Sequence, residues 1–178
     1  MGIAIMLKKL LLGRAFSAED GRMTILGKYD VTLYESKAWA FTVQKIYEKL
    51  GEKETFEIFY KAGQIAFKQA EKAFNIKISE NLMKSFQPVM EFFGWGKFIP
   101  IEFKHERGNF LVLVKLTNSP IVNYAKILFG KNSKVCIFFK AILSGVFSMI
   151  YKKRIMFEET ACTTKGADAC YFKGEFAK

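Results

Sequence analysis

The stretch RIMFEETACTTKGADACYFKGEF, Arg154–Phe176, decides the fold. Arg154 to Thr160 and Tyr171 to Phe176 read as two strands, and the loop between them contains Lys165-Gly166-Ala167-Asp168. Upstream, Lys97 to Lys104 and Phe110 to Thr117 form a second pair around the turn Glu106-Arg107-Gly108-Asn109. Pro100 cannot donate to a ladder, so its strand is expected at an edge or with a bulge.

Helices lie between and before these strands. Ser119-Pro120 is a helix start, with Ser as N-cap and Pro at the first helical position, and Gly130 ends that short helix. Asn132 or Ser133 is expected to cap a longer one through Cys136, Phe139, Leu143, Val146 and Ile150. Nearer the N-terminus, Trp39, Val43, Ile46, Tyr47 and Leu50 recur at helical spacing, and Gly51 stops the run. Glu54 to Phe74 reads as a second helix. Ser79 to Phe93 reads as a third, with Pro88 as a kink. Arg22 to Thr32 is a strand or hairpin with Gly27 near its middle.

The order is therefore β, three helices, ββ, two helices, ββ. No linker, repeat or low-complexity tract interrupts it. The expectation is one α+β domain over residues 22–176, an antiparallel sheet with helices packed against it. Residues 1–21 are an amphipathic lead-in.

The composition is globular, with 51% hydrophobic and 25% charged residues. Nineteen Phe, seven Tyr and two Trp make an aromatic-rich interior, and some of these rings are candidates to line an apolar cavity. The net charge is +11, yet Lys and Arg are scattered. No Arg-rich helix, helix-turn-helix or basic tail stands out, so nucleic acid is not the expected partner. The apolar runs are too short for a membrane span and no secretory signal is visible, which gives an expectation of a cytoplasmic protein.

Three cysteines, Cys136, Cys162 and Cys170, are an odd number, which argues against a disulfide framework. The local spacing is Glu159-x-x-Cys162-x(7)-Cys170, with Gly166 in a loop that brings both thiols to one point. Cys136 has to reach across from its helix. Three thiolates favour a soft or borderline ion, zinc first, with a carboxylate as an acceptable fourth ligand. Glu159 and Cys162 share an ion only if the strand ends or bulges between them, because residues three apart on a strand point to opposite faces. Glu158 and His105 compete for the fourth place. Residue reading leaves two alternatives beside the metal site. One is a buried pair of free thiols plus an incidental cysteine; the other is a redox pair.

The pattern Cys136-x(22)-Glu159-Thr160-Ala161-Cys162-x(7)-Cys170-Tyr171-Phe172 resembles the end of the 4-vinyl reductase domain family. Tyr60-Lys61-Ala62-Gly63, Gly94-Trp95-Gly96 and Gly145 extend the resemblance more weakly. Gln64 and Phe67 depart from it, standing where Arg and Gly are common. The resemblance implies an α+β fold related to nitric-oxide-signalling and Golgi-tethering domains, and a homodimer. It also implies a structural zinc held by Cys136, Glu159, Cys162 and Cys170 beside a buried apolar pocket.

The leading expectation is thus a domain that senses or carries a small apolar molecule, such as a hydrocarbon, lipid or aromatic. Trp39, Phe59, Phe67, Phe86, Phe93 and Trp95 are the candidate lining residues. No dinucleotide fingerprint, flavin motif or proton donor is evident, so no catalytic residue is assigned. The alternatives are a tetrapyrrole-related vinyl reductase or its accessory, and a dimeric scaffold.

Overall fold

The computed structural model describes residues 16–20, 22–25, 27–32, 34–74, 90–91, 93–106 and 109–177. Strand structure begins inside the expected lead-in: β1 (Phe16–Glu19), β2 (Arg22–Ile25) and β3 (Tyr29–Val31) form an antiparallel three-stranded sheet. Asp20 and Gly27, both with positive φ, stand at its two turns. The hairpin expected around Gly27 is therefore present, with one more strand before it.

The two helices expected from Ser36 to Phe74 run on as one element, α1 (Ser36–Phe74), with a kink at Gly51. Gly51 has φ 78° and ψ −179°, a conformation open to glycine and strained for other residues. The Gly51 carbonyl, released from the helix ladder, accepts from Thr55 Oγ1 at 2.6 Å. Glu35 closes the other end: its two carboxylate oxygens accept from the backbone N–H groups of Lys37 and Ala38, each at 2.7 Å. The third helix expected over Ser79–Phe93 lies outside the described residues, apart from a helical Met90–Glu91.

The second half matches its expected order. It contains β4 (Lys97–Glu106), β5 (Asn109–Thr117), α2 (Pro120–Phe129), α3 (Cys136–Tyr151), β6 (Ile155–Ala161) and β7 (Cys170–Phe176). The four strands form an antiparallel sheet in the order β4-β5-β7-β6. Pro100 is both on an edge strand and at a register shift, where Ile101 is the extra residue. Ser119 Oγ accepts from Val122 N–H at 3.4 Å as the N-cap of α2. The longer helix starts later than Asn132 or Ser133, because a 3₁₀ turn over Gly130–Asn132 intervenes.

One face of the sheet is the core. Phe110, Val112, Val114 and Leu116 of β5 are buried, as are Phe172 of β7 and Ile155 and Phe157 of β6. α3 lies on this face and is buried around most of its circumference, and α1 crosses α3. Two glycines set that crossing. A Cβ on Gly63 would lie 2.8 Å from the Ile142 carbonyl oxygen, and one on Gly145 would collide with that of Tyr60.

Edge strand β6 has its outer N–H groups satisfied by α3. Phe157 N–H donates to Ser144 Oγ and Ile155 N–H to Ser148 Oγ, each at 2.8 Å. No single helix among the described residues is long and apolar enough to cross a membrane.

Candidate metal centre and aromatic wall

Local folding of β6 and β7 brings two cysteines together. The register shift between Glu159 and Ala161 makes Thr160 an extra residue. That bulge turns Cys162 back toward the side of Glu159, as sharing one ion requires. The chain then makes a 3₁₀ turn, Thr163–Lys165, closed by Gly166 at φ 100°. Cys162 O accepts from both Lys165 N–H (3.0 Å) and Ala167 N–H (3.1 Å), fixing the loop on the cysteine. Cys170 opens β7 opposite Leu116. Cys136 comes from the first turn of α3.

The three thiols are free and buried, and their sulfurs form a near-equilateral triangle. Cys136 and Cys162 are 3.6 Å apart, Cys136 and Cys170 3.6 Å, and Cys162 and Cys170 3.5 Å. These separations are far too long for a disulfide. A tetrahedron with zinc–sulfur bonds of about 2.3 Å has an edge of about 3.8 Å. A carboxylate oxygen of Glu159 completes the set, all four ligand atoms lying within 4.8 Å of one another.

The electrostatics fit a cation. Glu159 Oε2 accepts from Lys165 Nζ at 2.9 Å, whereas Oε1 is buried with no hydrogen-bond partner. Burial pushes the Glu159 carboxyl above its ordinary value, against the pull of Cys136 and Lys165. Cys162 accepts from both other thiols, so its thiolate is favoured and its pKa lowered. Donation to Cys162 and Cys170 pushes Cys136 up. At Cys170, Cys136 lowers the value, but Cys162 and burial carry it up to about 11. Without a positive charge the triangle favours a thiolate at one corner only. A bound cation supplies the charge that three thiolates need. Thr164 Oγ1, 3.1 Å from Cys162 Sγ, and Lys165 form the outer shell.

The competing ligands are elsewhere. Glu158 pairs with Lys140 at 3.3 Å, and the His105 ring packs against Phe110, Tyr151 and Phe176.

The expected lining residues are partly brought together. Trp39, Phe59 and Trp95 meet Phe138 edge to face, with ring centroids 5.5, 5.2 and 5.0 Å away. Phe93 lies 6.0 Å from Trp95 and is exposed. Phe67 is buried about two turns beyond Phe59 on α1, outside this ring cluster. Phe86 lies outside the described residues. Phe138, the hub, was not among the residues expected from sequence. Its neighbours on α3 are apolar on every side, so periodicity marks no special face there.

An α+β domain with a Cys₃Glu centre between a helix and a hairpin is the class these features define. The family model of the 4-vinyl reductase domain matches residues 125–176, a segment that includes all four ligand positions. The resemblance read from the C-terminal motif is thus to that family. An uncharacterised protein of Methanocaldococcus jannaschii is 39% identical over 44 residues, 25% of this chain. The match covers only 24% of that relative's length.

Among solved structures, the phenol-responsive sensory domain of the transcription activator PoxR, with phenol, aligns at a TM-score of 0.74. That alignment covers 98% of this chain and 90% of that one at 17% identity. A trafficking protein particle complex subunit 3 from Naegleria fowleri, covalently bound to palmitic acid, aligns at 0.58 over 80% of this chain and 95% of that one, at 11% identity. A vinyl-4-reductase family protein from Methanocaldococcus jannaschii aligns at 0.55 over 83% and 85%, at 17% identity. At these identities the likeness is one of fold.

Proposed function

We propose that this chain is a domain of the 4-vinyl reductase type that binds a small apolar or aromatic molecule as a sensor or carrier. A zinc ion held by Cys136, Glu159, Cys162 and Cys170 serves it as a structural staple. The observation that carries the ligand reading is the aromatic wall. Trp39, Phe59, Phe138 and Trp95 converge from α1, α3 and the segment before β4, and both tryptophans stay only partly buried. Converging rings with few polar groups suit an apolar guest. Support comes from the folds of a phenol sensor and a palmitate-bound subunit.

The zinc reading rests on the sulfur triangle and on the orphaned Glu159 oxygen. Four protein ligands leave no open position for a substrate, so the centre is a place of stability rather than chemistry. Three free thiols suit a reducing compartment, in keeping with a cytoplasmic location. A homodimer is the expected assembly.

Mass spectrometry of organic extracts from freshly purified, denatured protein tests the ligand reading. A stoichiometric apolar compound supports it. Clean extracts, from protein that also shows no thermal shift with phenol or palmitate, contradict it.

A further inference from the structure

The metal centre has one soft corner. Cys136, Cys162 and Cys170 are 4%, 3% and 1% exposed, so three corners are shut off from water. The Glu159 side chain is 17% exposed. A cavity of about 270 Å³, lined by Glu159, Thr160, Ala161, Cys162, Lys165 and Ala167, opens at that corner. Glu159 is also the hard oxygen donor in a set of soft thiolates. Whatever enters or leaves the centre therefore meets Glu159 first.

We propose that Lys165 is the positioning residue of this corner: it latches Glu159 so that Oε1 points into the thiol triangle, and it covers the cavity mouth. Nζ of Lys165 holds Oε2 at 2.9 Å, which leaves Oε1 to the thiol side as the one ligating oxygen. The latch is tied to the centre it guards. Lys165 N–H donates to Cys162 O at 3.0 Å, and Gly166 N–H donates to Thr163 O at 3.2 Å, so the lysine rides on a loop anchored to a ligand. An anchored lysine loses less freedom on pairing than one on a free surface, so the pair is more than a passing contact. Outer-shell partners of this kind fix the orientation of ligating carboxylates. Since half of the Lys165 side chain meets solvent, the latch is open to salt.

This inference rests on the metal reading proposed above, and the test separates the two. Wild type, Lys165→Met and Lys165→Arg are loaded with cobalt(II) for absorption spectra and with zinc for release into a chromogenic chelator. The expected result is about 10-fold faster zinc release from Lys165→Met, the lower end of the usual outer-shell effect. Its cobalt d–d bands should be weaker than those of wild type. Lys165→Arg should keep the wild-type rate and spectrum. Rising salt should bring the wild-type release rate toward that of Lys165→Met, whose own rate stays flat. Tryptophan emission should be unchanged in all three, since Trp39 and Trp95 belong to the other cluster. Equal release rates and equal spectra for wild type and Lys165→Met would overturn the latch while leaving the metal centre standing. A wild-type protein that takes up neither ion would overturn both.

Discussion

Gly145 of α3 rests directly on the Tyr60 carbonyl of α1, with no room for a side chain between them. The opposite glycine, Gly63, does the same against Ile142. Together they let two helix backbones touch and carry α1 with its aromatic residues onto the sheet-bound helix. Gly145→Ala should cost about 1–3 kcal/mol, the usual range for overpacking a tight interior. Helix propensity alone favours alanine over glycine, so a loss of stability isolates the steric term. The melting temperature should fall by roughly 2–4 °C per kcal/mol for a chain of this size. A melting temperature equal to wild type would show that the crossing is looser than described.

Ser144 holds a strand edge rather than a helix neighbour. Its Oγ accepts the Phe157 N–H at 2.8 Å and donates to Lys140 O at 2.7 Å. Ser144→Ala strands a buried amide, which costs about 1–3 kcal/mol. Denaturant melts should report that loss. Hydrogen exchange should localise it, with the Phe157 amide losing protection before the amides of β5.

Cys162→Ser removes a soft ligand from the sulfur triangle. The variant should lose metal and melt at lower temperature, and chelation of the wild type should produce the same shift. Metal content by elemental analysis and a thermal melt check this together. Unchanged metal content and unchanged melting would contradict the staple.

Acid stability should depend on Glu52. Its carboxyl is held below its ordinary value of 4.5 by the hydrogen bond from Lys140, and then by that lysine's charge. The folded state therefore favours the ionised form. The contribution is complete above the unfolded value and is lost as pH falls through the lower folded one. Glu52→Gln should flatten the acid limb of a melting-temperature profile below about pH 4 and change little at neutrality, since an exposed pair contributes about 1 kcal/mol or less. An unaltered acid limb would show that Lys140 spends its charge on Glu158 instead.

Local signals made much of the fold legible. Ser119-Pro120 and Gly130 bound α2, and alternation marks β5. Pro100 forecast a bulged edge, and the cysteine spacing forecast a meeting point that the bulge at Thr160 completes. Other features depend on contacts between distant residues. Four residues of mixed polarity, Phe16–Glu19, become β1 only by pairing with β2. Gly51 reads as a stop, yet a single glycine also permits a kink in a continuing helix. Phe138 was missed because a helix buried on all sides has no pattern to point at one ring. Lys165 carried no sequence signal either, since a loop lysine six residues past a glutamate gains its meaning from the 3₁₀ turn between them.

Two roles are divided between two places in this fold: the aromatic wall receives an apolar guest, while the metal centre holds the structure together. The chain has two tryptophans, Trp39 and Trp95, and both stand at that wall. Tryptophan emission during titration with phenol, and separately with palmitate, therefore reads the wall itself. A saturable change is expected with at least one of them, abolished in Phe138→Ala and retained in Lys165→Met. A linear drift that never saturates with either compound, matching that of free tryptophan, would contradict the division of roles.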